Sequence, residues 1–275
     1  MSGRGYVRGV TNEDSSNALK KAWKKGEQTL GLWISTGNPS TAEVLGDVDF
    51  DYINIDFQHG LIDYTEAVPV MQALVNTNAT LTCRVPWNEP GVIGKVLDAG
   101  AMGVIIPMVN TPAEAEAAVR ACRYAPQGAR SFGPIRAARL FGADYASRAN
   151  EEIACIPMIE TAEAIGNLDA ILDVEGIDAV YIGPADLSIS LGLPPGSDND
   201  APAFTEAVDA VLEGCKARGI APGIHSVPNI APKRLAQGFQ MVTVTSDTQA
   251  AVSGAMSGLK RARSGGDGES SEKMY

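Results

Sequence analysis

A closed (β/α)8 barrel is the fold this sequence predicts, on three observations. Eight short runs rich in β-branched and aliphatic residues recur along the chain. Nearly every run is followed by a stretch of helical character, the alternation of a parallel α/β architecture. No GxGxxG fingerprint follows the first run, which argues against a doubly wound open sheet. In order, the runs are LGLWIS (30–35), YINID (52–56), LTCRV (81–85), MGVIIPM (102–108), IACIPMI (153–159), AVYIG (179–183), IAPGI (220–224) and QMVTVTS (240–246). Residues 15–26 read as an extra helix before the barrel. Between the fourth and fifth runs, Thr111 and Pro112 open an Ala- and Glu-rich helix with a capping hydroxyl and a proline at the first helical position. A single catalytic domain is expected over 15–262. The ends, 1–14 and 263–275, are rich in Gly, Ser and charge; they are expected as a flexible N-terminus and a disordered tail, because they cannot bury enough apolar surface to order themselves.

A chain of 275 residues can bury a sizeable core. Its net charge of −11 repels phosphate backbones and anionic lipid, so neither nucleic acid nor a membrane surface is an expected partner. Cys83, Cys122, Cys155 and Cys215 are scattered without a CxxC, which argues against a zinc site or a disulfide framework and for reduced core thiols. The N-terminus lacks a signal-type apolar core, and no apolar run approaches the ~20 residues of a membrane span. A soluble, cytoplasmic protein is the expectation.

Barrels of this kind carry their active sites at the C-terminal ends of the strands. There the second run delivers Asp56 and His59, the third Arg84, the fifth Glu160, and the sixth the turn Gly183-Pro184-Ala185-Asp186. Asp56 beside His59 is either a carboxylate that orients a titratable base or part of a capped loop with a hydrogen-bonded histidine. Glu160 and Asp186, about one βα unit apart, suit a hard divalent cation with oxygen ligands, Mg²⁺ or Mn²⁺; Asp186 also stands where it can cap a helix. The Gly-Pro turn leaves helix-start N–H groups open to an anion such as a substrate carboxylate. Arg84, held before Val85-Pro86-Trp87, is either a surface ion pair or a planar fork that stabilises a developing oxyanion. Together these groups describe a site that holds a small 2-oxo acid, removes a proton next to its carbonyl and stabilises the enolate: aldol or decarboxylation chemistry.

The segments IDFQHGLIDY, CRVPWNEPG, LDAGAMGVIIPMVNT, RSFGPIRA, MIETAEA and IGPADLS stand in this order across roughly 28–250. They resemble the HpcH/HpaI family of metal-dependent class II pyruvate aldolases, on a barrel of the phosphoenolpyruvate/pyruvate type. The resemblance implies that His59, paired with Asp56, is a base acting through water on the metal. Arg84 would bind the pyruvate oxygen, Glu160 and Asp186 would hold Mg²⁺, Mn²⁺ or Co²⁺, and the amides of Ala185 and Asp186 would hold the carboxylate. Asp98 would act across a subunit interface of a homo-oligomer, often a hexamer. The implied activity is reversible cleavage of a 4-hydroxy-2-oxo acid to pyruvate and an aldehyde through a metal-stabilised pyruvate enolate. Decarboxylation of oxaloacetate is the alternative, followed by acyl-CoA lyase chemistry and a non-enzymatic binding role. Two positions depart from the hydroxy-oxo-heptanedioate aldolases, Met158 in place of Gln and Gln58 in place of Glu; both bear on the substrate more than on the reaction. His225, after the seventh run, reads either as a substrate contact or as a hydrogen-bonded loop histidine. Arg130, Arg136 and Arg139 lie in the long connection after the fourth run, where a loop over the mouth would let one of them grip an acidic aldehyde while at least two form a solvated loop face. The small-residue stretch 250–259 suits close helix approach, against a second copy or against its own barrel.

Overall fold

In the computed structural model, which describes residues 16–264, eight parallel strands close into a barrel in sequence order, β8 returning to β1. The strands are β1 (Thr29–Ile34), β2 (Tyr52–Asp56), β3 (Thr80–Arg84), β4 (Gly103–Ile106), β5 (Ala154–Ile159), β6 (Ala179–Ile182), β7 (Ala221–Ile224) and β8 (Met241–Ser246). Helix α1 (Ala18–Lys24) precedes them. Helices α2 (Pro39–Gly46), α3 (Tyr64–Ala73), α4 (Pro90–Asp98) and α5 (Pro112–Cys122) follow the first four strands. Then come α6 (Ala137–Phe141) and α7 (Tyr145–Glu152) before β5, α8 (Ala162–Gly166) and α9 (Leu168–Leu172) after it, α10 (Pro184–Ser190) and α11 (Pro202–Arg218) after β6, α12 (Ala231–Gln237), and α13 (Asp247–Ser264). Each expected strand is present within a residue or two of its expected bounds. Residues 1–14 and most of the expected tail lie outside the described residues, whereas 263 and 264 belong to α13.

Every residue of β2, β4, β5, β6 and β7 is buried, as a parallel sheet covered on both faces requires. One apolar cluster fills the space between sheet and helices. A second fills the barrel itself with Trp33, Tyr52, Ile105, Ile156, Met158, Tyr181 and Met241, and Leu19 and Trp23 of α1 pack into the same cluster. The interior is tight enough to dictate Gly31, where a Cβ would stand 2.0 Å from the Tyr52 ring. Both buried tyrosine hydroxyls meet Thr243, and burial raises both phenols well above their ordinary pKa, so this barrel floor is neutral.

Helix starts follow local chemistry. At α5, Thr111 Oγ1 accepts from the Glu114 amide at 3.2 Å and Glu114 Oε2 accepts from the Thr111 amide at 3.0 Å, a capping box in front of Pro112. The four cysteines are free and buried. No helix among the described residues is long and apolar enough to cross a membrane.

The expected loop over the mouth is placed differently. Residues 123–153 run from the end of α5 to the start of β5, and an α-to-β connection of a barrel lies at the N-terminal ends of the strands. Arg130 and Arg136 are therefore braces at the base of the barrel. Arg130 pairs with Asp98 Oδ1 at 2.7 Å, and Arg136 donates to the carbonyls of Ala99 and Met71. Arg139 is exposed on α6.

Candidate active site

Parallel pairing of β2 and β3 sets Asp56 directly opposite Arg84. Arg84 Nε donates to Asp56 Oδ1 at 2.9 Å and its second terminal nitrogen to Oδ2 at 2.7 Å, a two-pronged pair with both side chains under a tenth exposed. The guanidinium also lies 4.6 Å above the Trp33 ring centroid. The carboxylate that the sequence assigned to the His59 ring is thus occupied by Arg84. Register decides this: Arg84 is the cross-strand neighbour, while His59 lies three residues on, in a turn that reaches Asp56 Oδ1 through the backbone amides of Gln58 (3.1 Å) and His59 (3.4 Å). His59 is exposed at the mouth, and Gln58 Oε1 is buried with no hydrogen-bond partner among the described residues.

Glu160, at the end of β5, is 2 % exposed. Its Oε1 accepts the Met108 amide at 2.8 Å. Met108 is the one non-glycine described residue with a positive φ, 56°, so the loop after β4 adopts an unfavourable backbone to turn that amide inward. Gly183 permits the other oxygen, since a Cβ there would stand 2.2 Å from Glu160 Oε2. Burial first, and the nearby Asp186 carboxylate second, push the Glu160 pKa up to about 7, against the Met108 amide and Arg84. Asp186 is exposed in the first turn of α10 and makes no capping hydrogen bond, with Gly183 at the cap position.

This donor set fits a divalent metal. One desolvated carboxylate faces a second one, oxygens only, and a cation between them would relieve both the burial cost and the repulsion. Among the described residues no group of three or more His, Cys, Asp or Glu side chains is gathered for a metal, so water and substrate oxygens would complete such a shell.

Trp33, His59, Arg84, Met158, Tyr181, Gly183, Ala185, Asp186, Ser197 and His225 line one cavity of about 180 Å³ at the strand C-terminal ends. Trp33 organises its wall, stacked on Tyr181 at 5.8 Å and met edge-on by His225 at 4.8 Å. Burial, and then Arg84, lower the His225 pKa to about 4, so the imidazole is neutral. Trp33, Met108, Tyr181 and Ser197 were not found by inspecting strand ends for ionisable groups. Trp33 had one legible signal, an aromatic inside the first apolar run; Met108 and Ser197 had none.

Asp98 is not in this cavity. It ends α4, at the opposite end of the barrel, where it binds Arg130. Within one chain it cannot reach the mouth.

Comparison with known proteins places this geometry among relatives. Residues 29–254 match the family model described as HpcH/HpaI aldolase/citrate lyase. The chain is 40% identical over 232 residues to a hydroxypyruvate/pyruvate aldolase of Rhizorhabdus wittichii, covering 84% of this chain and 92% of that one. It is 38% identical over 243 residues to a 4-hydroxy-2-oxo-heptane-1,7-dioate aldolase of Salmonella dublin, covering 87% and 92%. Among solved structures, an HpcH/HpaI aldolase/citrate lyase family protein of Burkholderia cenocepacia superimposes with a TM-score of 0.85 at 31% identity, covering 90% of this chain and all of that one.

Proposed function

The chain belongs to the HpcH/HpaI aldolase/citrate lyase family and is a carbon–carbon lyase of the aldolase type, and from that premise we propose that its cavity reversibly cleaves a 4-hydroxy-2-oxo acid to pyruvate and an aldehyde. The observation that carries the reading is the Arg84–Asp56 pair, fixed on Trp33, with Arg84 and the Gly183–Asp186 turn lining one small cavity and Glu160 packed against Gly183.

Glu160 and Asp186 would hold a divalent cation, Mg²⁺ or Mn²⁺ with Co²⁺ as a further candidate; when bound it polarises the 2-oxo group and so acidifies the adjacent carbon. Arg84, with Asp56 fixing its plane, donates to the 2-oxo oxygen and stabilises the charge of the pyruvate enolate. The turn Gly183-Pro184 leaves the amides of Ala185 and Asp186 to hold the carboxylate. His59 is the proposed base. In cleavage it takes the proton of the C4 hydroxyl, the C3–C4 bond breaks toward the enolate, the aldehyde leaves, and the proton goes to C3 to give pyruvate; synthesis runs the same steps in reverse, with removal of a proton from pyruvate C3. Trp33 and Tyr181 wall the site against water.

We further propose a homo-oligomer, a hexamer by likeness, in which Asp98 serves a neighbour's mouth. Helix α13 supports assembly: from residue 251 to 264 every residue is exposed, and Val252, Met256 and Leu259 form an unpartnered apolar stripe at helical spacing. Light scattering that showed a fully active monomer would remove both the assembly and the role of Asp98. The free buried cysteines support a cytoplasmic location.

The function is tested by a screen of aldehydes with pyruvate and each of the three metals, run beside an oxaloacetate decarboxylation assay. Aldol product with several aldehydes, abolished by chelation, is expected. Decarboxylation without carbon–carbon bond formation would overturn the aldolase reading in favour of a decarboxylase.

A further inference from the structure

We propose that His225 and Ser197 form a subsite that recognises a hydroxyl of the substrate beside the bond being made or broken. The enzyme would therefore prefer hydroxylated small substrates to their deoxy counterparts. The inference rests on the aldolase reading and deepens it.

If Arg84, Glu160 and the Gly183–Asp186 turn hold the pyruvate unit, they take up the walls contributed by β3, β5 and β6. Besides His59, already assigned as the base, the remaining polar wall is His225, just past β7, and Ser197, in the segment between α10 and α11. His225 is fixed in place without using its ring nitrogens. Its backbone amide donates to the Ile182 carbonyl at 3.0 Å and its ring packs edge-on against Trp33 at 85°. Neither ring nitrogen nor the Ser197 hydroxyl hydrogen-bonds to any described residue, and both side chains line the cavity.

Ser197 is held there by the unit that carries His225. Arg234 of α12, 1% exposed, donates to the Ser197 carbonyl at 3.2 Å and to Asp198 Oδ1 at 2.8 Å, and Lys233 reaches Asp198 Oδ2 at 2.6 Å. A buried arginine thus pins the segment so that its one free hydroxyl stays on the cavity.

The chemistry of this wall selects among ligands. A neutral imidazole offers one donor and one acceptor, as does a serine hydroxyl, so the pair matches a group that both donates and accepts. A hydroxyl does; a methyl leaves both unsatisfied, and a carboxylate finds no cation here. Arg84, the lining Arg or Lys within this chain, is shared between Asp56 and the 2-oxo oxygen assigned to it above, while Arg130 and Arg136 brace the other end of the barrel. The cavity of about 180 Å³ adds a limit on size.

The recognised hydroxyl has two possible sources, C2 of the aldehyde or C3 of the donor. Two pairs separate them: glycolaldehyde against acetaldehyde with pyruvate as donor, and hydroxypyruvate against pyruvate with one common aldehyde. The full-length protein with Mn²⁺ is assayed for kcat/KM of carbon–carbon bond formation. A preference of about tenfold or more for the hydroxylated member of at least one pair is expected. It should fall toward unity in His225→Leu and severalfold in Ser197→Ala, and return in part in His225→Gln, which restores a donor and an acceptor. Ser197→Ala, in a partly exposed segment, carries the test alone should His225→Leu not fold. Wild-type enzyme that forms bonds equally with both members of each pair, or a preference unchanged in the variants that fold, overturns the subsite alone. Wild-type enzyme that forms no carbon–carbon bond with any substrate overturns the aldolase reading and the subsite together.

Discussion

Two arginine–aspartate pairs, each with its arginine buried, stand at opposite ends of the barrel and are built almost alike. At the mouth, Arg84 meets Asp56 at 2.7 Å and lies 4.6 Å over Trp33. At the base, Arg130 meets Asp98 at 2.7 Å and lies 4.4 Å over Tyr124. The surroundings differ. Arg130 is shut in by a second aromatic, Tyr145, whose hydroxyl takes another of its donors at 3.2 Å, and its side chain has no exposure. Arg84 keeps one terminal nitrogen outside its pair, on a cavity shared with His59, Asp186 and His225. An ion pair, even a buried and stacked one, therefore says little about function; what distinguishes the two is the side of the sheet at which each strand or helix ends.

The sharpest test of that contrast lies at the mouth. His59→Ala should slow exchange of the pyruvate methyl protons on the order of 10²–10⁴-fold while leaving pyruvate affinity nearly intact, because a base acts in the transition state. Exchange followed by NMR at the parent rate would move the base elsewhere, His225 first. Arg84→Lys should lower kcat on the order of 10²-fold despite keeping the charge, since an ammonium cannot serve Asp56 and a substrate oxygen in one plane. Kinetics equal to the parent would reduce the mouth pair to a counterpart of the base pair.

A smaller effect distinguishes the mouth by its buried acid. Glu160 ionises near 4.5 in an unfolded chain and near 7 in the folded, metal-free protein. Between those values the folded state holds a proton that the unfolded state has lost. Its contribution to stability is thus fully present below about 4.5, declines as pH rises, and is gone above about 7. The metal-free wild type should lose up to roughly 3 kcal/mol across this window relative to Glu160→Gln. Thermal melts of both proteins at several pH values check it, and Mn²⁺ should restore the loss in the wild type alone. Parallel melting curves would mean that Glu160 is not a destabilised acid. Least of all, Arg130→Met should cost roughly 2 kcal/mol by removing a charged hydrogen bond, seen as a lower Tm. An unchanged Tm would mean that the pair at the base braces nothing.

Much of this was legible in the chain order. Periodicity marked all eight strands, and the rule that function sits at strand C-terminal ends gathered Asp56, His59, Arg84, Glu160 and Asp186 at one mouth, where the structure also places them. The partners were not legible. Asp56 looked like the companion of His59 because the two are close in sequence, yet the closest carboxylate to Arg84 is set by strand register, 28 residues away. The connection after the fourth run reads as a loop over the mouth, with one of its three arginines available there, because it follows a strand, although helix α5 has already carried the chain to the other end.

The sequence by itself determined the barrel, its order of elements and the kinds of groups at its mouth, because hydrophobic period, caps and breakers act over a few residues and are written locally. Tertiary structure alone decided which of those groups share a hydrogen bond, which carboxylate is desolvated and which histidine is neutral. These depend on register, burial and the charge of residues distant in the chain. The Glu160 pKa is raised by burial and by Asp186, 26 positions on, and His225 is held neutral by burial beside Arg84. Such energies come into being only when the barrel closes and water leaves.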